Sequence, residues 1–266
     1  MIKKELNKTI KIENGILKKE NRVILGNKAE IVAEKINDKL PFDVKEKFKN
    51  AFKKSLQSVT TKGIKIIEKT YDRKKLSDLY IEDTELFKKE IKRRNLRAVE
   101  KRAKRKAILN TGISTMEGTA VGFMGILTAL ADVPVFISII MKHLNETALH
   151  YGFDYDTDLE RAYMFKIISM SVADREKKQI YSKEIDKIGY SIDVGDIIEI
   201  NNREIIEETA SNLSEYVSMA ILLGSIPLAG FVFGGINNYR FMSHVAKIAN
   251  VKYKKRYLYR MMTMDN

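Results

Sequence analysis

The sequence has no cysteine and no tryptophan, only three prolines and only three histidines. Without cysteine there is no disulfide, no thiol nucleophile, no iron–sulfur cluster and no thiolate-bound zinc. Three histidines leave little material for a histidine-rich metal centre. Also missing are the glycine and serine signatures of phosphate loops, dinucleotide turns and serine hydrolases, and the HExxH helix of zinc proteases. No enzyme activity and no cofactor is therefore expected. The start of the chain carries no apolar export signal, which places the expected location on the cytoplasmic side.

What is present is lysine. The 266 residues carry 48 Lys and Arg against 35 Asp and Glu, a net charge of +13, with 44% apolar residues, enough for a sizeable core. The charge is unevenly spread. Residues 1–110 hold 32 basic and 16 acidic residues, while residues 143–216 hold eight basic and sixteen acidic ones. The densest basic run is 92–106, with Lys92, Arg93, Arg94, Arg97, Lys101, Arg102, Lys104, Arg105 and Lys106 against the single acid Glu100. A second cluster spans 252–260 and includes Lys254, Lys255 and Arg256. Both are candidate contacts for anionic lipid, to which a basic residue near the surface contributes about 1 kcal/mol. A solvated helix face is the plainer reading of such a run. Nucleic acid is disfavoured as the partner of 92–106, because no aromatic side chains interleave the charges there and no recognition motif accompanies them.

Apolar periodicity predicts an all-α fold. Phe48, Phe52, Leu56 and Val59 mark a helix beginning near Pro41, and more helix is expected from about Ser77 to Asn110. The nearest approach to a strand is 191–200, weakened by Gly195, Asn201 and Asn202. Residues 1–40 are poorly specified, 41–110 form a basic helical region, and 111–262 form the helical core. That core is built around two apolar segments, 118–141 and 216–239, each interrupted by glycine and by one proline, Pro134 or Pro227. Gly118 with Gly122, and Gly230 with Gly234, have the small-residue spacing of close helix approach. The second segment has 24 uncharged residues, and a bilayer core takes about 20. The first contains Asp132, costly in a membrane, so a buried helical hairpin is the competing expectation.

Residues 131–173 combine Asp132 and Pro134 in an apolar helix, then Tyr151, Gly152, Phe153 and Asp154, then Glu160 and Arg161. Residues 226–249 run from a Pro/Gly-rich apolar stretch through asparagine into a basic-ended helix. These stretches resemble the EcsC family of bacterial helical proteins. The likeness covers residues 85–260, and 1–40 look peculiar to this chain. The resemblance implies helical proteins without an established activity, named after a product of an operon that also encodes a transporter. Transporter subunits, beside an anionic membrane surface, are thus the implied partners. The alternative expectation is a soluble helical module that binds a hydrophobic ligand or a protein, with an enclosed pocket near Asp132 and Pro134.

Several motifs have local explanations. Gly152 suits a left-handed helix cap, and Thr157 with Glu160 reads as a capping box, preferred over calcium for the acidic string 154–160. Asp132 in an apolar helix needs a partner, and Arg161 and Arg240 are the candidates. His143, Glu146 and His150 share one helix face and are weak metal candidates, since i to i+7 puts the imidazoles about 10 Å apart.

Overall fold

The computed structural model describes residues 1–19, 42–90, 92, 94–96, 123–222 and 235–264. All regular structure among them is helical: α1 (Ile2–Leu17), α2 (Phe42–Val59), α3 (Lys62–Glu68), α4 (Arg73–Lys89), α5 (Phe123–His150), α6 (Asp158–Val172), α7 (Arg175–Val194), α8 (Asn202–Leu222) and α9 (Gly235–Met264). Residues 196–200 form neither strand nor helix.

Helix starts follow capping chemistry. The side chains of Asp72, Thr157 and Asp174 accept the backbone N–H three residues on and open α4, α6 and α7. Helix α5 ends in a Schellman turn: Phe153 N–H donates to Ala148 O and Gly152 N–H to Leu149 O, with Gly152 at φ +72°. A side chain at Gly152 would run into the Tyr80 ring, so the position needs glycine twice over. Of the helix expected from Ser77 to Asn110, residues 94–96 are helical, 97–110 lie outside the described residues, and the first part is α4. It starts at Arg73 and stops at Lys89, where Glu90 turns extended and Asn95 Nδ2 donates to Glu90 O at 2.9 Å.

Helix α2 packs against both α5 and α8, with Phe48, Phe52 and Leu56 fully buried on its inner face. Helix α6 runs through the centre, buried from Ala162 to Ser171, with α7, α8 and α9 around it. Helix α1 lies on α9. Its inner face is Ile2, Glu5, Leu6, Thr9, Glu13 and Ile16, an apolar stripe at helical spacing that carries two acids.

Of the two apolar segments, the first lies mostly in α5, where Pro134 sits within the helix on an exposed stretch. Pro227, the Gly118/Gly122 and Gly230/Gly234 pairs and half of 216–239 (residues 223–234) lie outside the described residues. Among the described residues no helix is long and apolar enough to cross a membrane.

Candidate functional site

The two acids on the inner face of α1 meet the basic cluster of α9. Lys255 Nζ donates to Glu13 Oε2 at 2.6 Å and to Asp186 Oδ2 at 2.7 Å. Lys252 Nζ pairs with Glu13, with Asp186 Oδ1 at 2.8 Å and with Ser182 Oγ at 2.7 Å. Lys254 faces Glu5 at 3.7 Å. One helical position on, Arg256 holds Glu160 through two hydrogen bonds of 2.9 and 3.1 Å and Asp193 through two more of 2.8 and 3.0 Å. Its guanidinium stacks 4.1 Å from the Phe153 ring and 4.7 Å from Tyr163. Gly189 leaves it the room, since a Cβ there would stand 2.9 Å from both Arg256 Cδ and the Tyr163 ring.

The 252–260 cluster is therefore interior rather than a lipid-facing patch. Lys252, Lys254, Lys255 and Arg256 are all at most 8% exposed. This overturns the expected anion-binding role of Lys254, Lys255 and Arg256, whose charges are already met by carboxylates from α1, α6 and α7. Burial resists ionisation of Glu13, but Lys252 and Lys255 outweigh it and hold the carboxyl below its usual range. Burial also pulls the Lys252 ammonium below the usual lysine range, against the opposing pull of Glu13 and Asp186. Lys252 and Lys255 together thus face the two carboxylates Glu13 and Asp186.

A second constellation fixes the acidic turn. Arg73 bonds Asp156 Oδ2 at 2.6 Å and Glu68 Oε1 at 3.1 Å, pairs with Asp154 and lies 4.6 Å from the Tyr155 ring centre. Tyr71 OH donates to Tyr155 OH at 2.7 Å and Tyr155 OH to Glu68 at 2.9 Å. Arg260 Nη1 donates to Gly152 O at 2.9 Å from the other side. Asp154 and Asp156 are thus engaged by an arginine of α4. The Thr157 cap forms, with Glu160 N–H at 3.1 Å from its hydroxyl, but the Glu160 carboxylate turns inward to Arg256 instead of closing the box.

The remaining candidates separate. Arg161 bonds Asp158 Oδ1 at 2.7 Å and Asp156 O at 2.6 Å, so it serves the turn rather than Asp132. Asp132 is half-buried, and the side chain of Arg240 lies outside the described residues. His143, Glu146 and His150 are all buried on α5, yet no three His, Asp or Glu among the described residues are placed to share one metal ion. Burial, with His150 nearby, pushes the His143 imidazole down to about 4. In the 92–106 run, Lys92 and Arg94 are exposed and both bond Glu90, while Leu96 is buried. Arg93, Arg97, Lys101, Arg102, Lys104, Arg105 and Lys106 lie outside the described residues.

The model of the EcsC protein family matches residues 3–258. The chain belongs to that family. The match takes in α1, so residues 1–40 are not peculiar to this chain as the resemblance implied; the Glu5–Lys254 and Glu13–Lys255 pairs lie within the EcsC region. Two proteins of Bacillus subtilis (strain 168) are similar. The uncharacterized protein YdbA is 24% identical over 146 residues, 55% of this chain and 53% of YdbA, so the chain spans about half of that relative. Protein EcsC is 24% identical over 225 residues, 82% of this chain and 80% of EcsC. No solved structure matches.

Proposed function

We propose that the chain is a non-enzymatic EcsC-family protein that binds the cytoplasmic face of the membrane through the basic surface of its first hundred residues. The supporting observation is how charge is sorted between interior and surface. Among the described residues up to Leu96, sixteen Lys and Arg are exposed against six Asp and Glu; from Phe123 onward, six exposed bases face ten exposed acids. At about 1 kcal/mol per nearby basic residue, a few of the N-terminal lysines suffice for reversible attachment to anionic lipid. Membrane fractionation with carbonate extraction, alongside flotation on anionic vesicles, is the test. Release by carbonate and flotation that fades with salt are expected. A protein that stays in the soluble fraction and ignores anionic vesicles at low salt sinks the reading.

An accessory role for a transport or secretion system follows from the family resemblance rather than from any feature of the fold. Co-purification with transporter subunits is its measure. The alternative, a soluble binding module, has one observation in its favour: a cleft between α1 and α7. Its expected place beside Pro134 is an exposed stretch of α5.

A further inference from the structure

The cleft between α1 and α7 has a volume of about 410 Å3, opens to solvent, and is lined by Glu13, Asn14, Leu17, Lys18, Gln179, Ser182, Lys183 and Asp186. That volume falls within the range of small-ligand sites. Its two acids are the ones that Lys252 and Lys255 already hold, two carboxylates against two ammoniums, so the floor is close to neutral. Lys18, just past the end of α1, and Lys183 of α7 are both exposed, and neither has an ion-pair partner among the described residues. The cleft therefore carries an unbalanced charge of two, flanked by the amides of Asn14 and Gln179 and an apolar wall at Leu17.

The geometry points to a phosphate-ester site, in which Lys18 and Lys183 bind the anion from opposite banks while Asn14 and Gln179 donate to its oxygens. An ammonium is a compact point charge with three donors, suited to a tetrahedral oxyanion approached from either side. Leu17 would meet the carbon skeleton of a small ester such as a glycerol phosphate. The same chemistry is offered by a phospholipid headgroup or by a soluble phosphate ester. The site rests on the cleft and not on the membrane reading, so either can fail alone.

The test uses the full chain with three probes: glycerol 3-phosphate by calorimetry, and vesicles of phosphatidylcholine with and without phosphatidylglycerol by flotation. Lys18→Gln with Lys183→Gln is compared with Arg203→Gln and Lys247→Gln, exposed bases of α8 and α9 outside the basic surface of residues 1–96, which remove the same charge elsewhere. Binding should fall about tenfold or more in the cleft variant and less than about twofold in the control. Gln179→Glu, which sets a carboxylate in the cleft without altering either lysine, should lose binding equally. Selective loss on phosphatidylglycerol vesicles identifies a lipid headgroup. Selective loss on glycerol 3-phosphate by a protein that ignores vesicles supports the site and removes the membrane reading. Equal weakening by both double variants overturns the site even where vesicle binding persists, as does the absence of binding to every probe.

Discussion

Among the described residues, no Lys or Arg of the first 96 is buried while three acids are, and from Phe123 onward six Lys and Arg are buried against two acids. In the first region Glu5, Glu13 and Asp83 are buried while lysines crowd the surface. In the second, Lys166, Lys178, Lys252, Lys254, Lys255 and Arg256 are buried while the acids of the 154–158 turn and of 193–204 face solvent. The inner face of one region supplies the counter-charges of the other, as Glu13 does for Lys252 and Lys255. Burial thus removes charges of opposite sign from the two surfaces, and the polarity presented to a partner is steeper than a tally along the chain indicates. Net charge argues about association, and only the exposed share of it takes part.

Breaking the buried half of this arrangement should have the largest effect. Arg256→Leu leaves the buried Glu160 without its guanidinium and Asp193 with only the longer Arg260 contact of 3.3 Å, and should cost about 3–5 kcal/mol, read as a lower urea midpoint. Acid should come next. His143 is neutral in the fold with its pKa pushed down to about 4 from 6.5. Its contribution, like that of His244, which burial also pushes down to about 4, is complete above pH 6.5 and is lost as pH falls toward 4, because the unfolded chain takes the proton first. The loss from His143 is on the order of 3 kcal/mol, and His143→Gln should make the stability profile shallower in that window, leaving the share of His244.

Glu13→Gln should cost about 2 kcal/mol, since Asp186 still faces both lysines, and should speed hydrogen exchange in α1 ahead of the rest. The smallest effect on stability belongs to the basic surface. Lys74→Gln with Lys75→Gln, both exposed on α4, should change unfolding by less than about 0.5 kcal/mol yet weaken flotation on anionic vesicles. A variant pair that changed stability and left flotation untouched would reverse the roles assigned to the two regions.

Much of the fold was legible in local patterns. The spacing of Phe48, Phe52, Leu56 and Val59 gave the inner face of α2, and Gly152 and Thr157 gave the turn between α5 and α6, because caps depend on neighbouring residues. Two features depended on distant ones. The run at 252–260 has the composition of a solvated face, and its partners Glu5 and Glu13 lie some 240 residues away in sequence. The signal that could have found it is on the other helix: Glu5 and Glu13 fall on the apolar stripe of Ile2, Leu6, Thr9 and Ile16, where an acid needs a buried cation. Tyr253 and Tyr257 among the basic residues of α9 point the same way, as fully buried rings one turn apart. Arg161, proposed for Asp132, is bound by the nearer Asp158.

The interior position of Lys252, Lys254, Lys255 and Arg256 has a consequence for digestion. A protease that cleaves after lysine and arginine meets four candidate bonds in five residues, yet each recognition side chain is enclosed by α1, α6 or α7. In the folded protein that stretch is a silent substrate, and its first cut records the departure of α1 from α9.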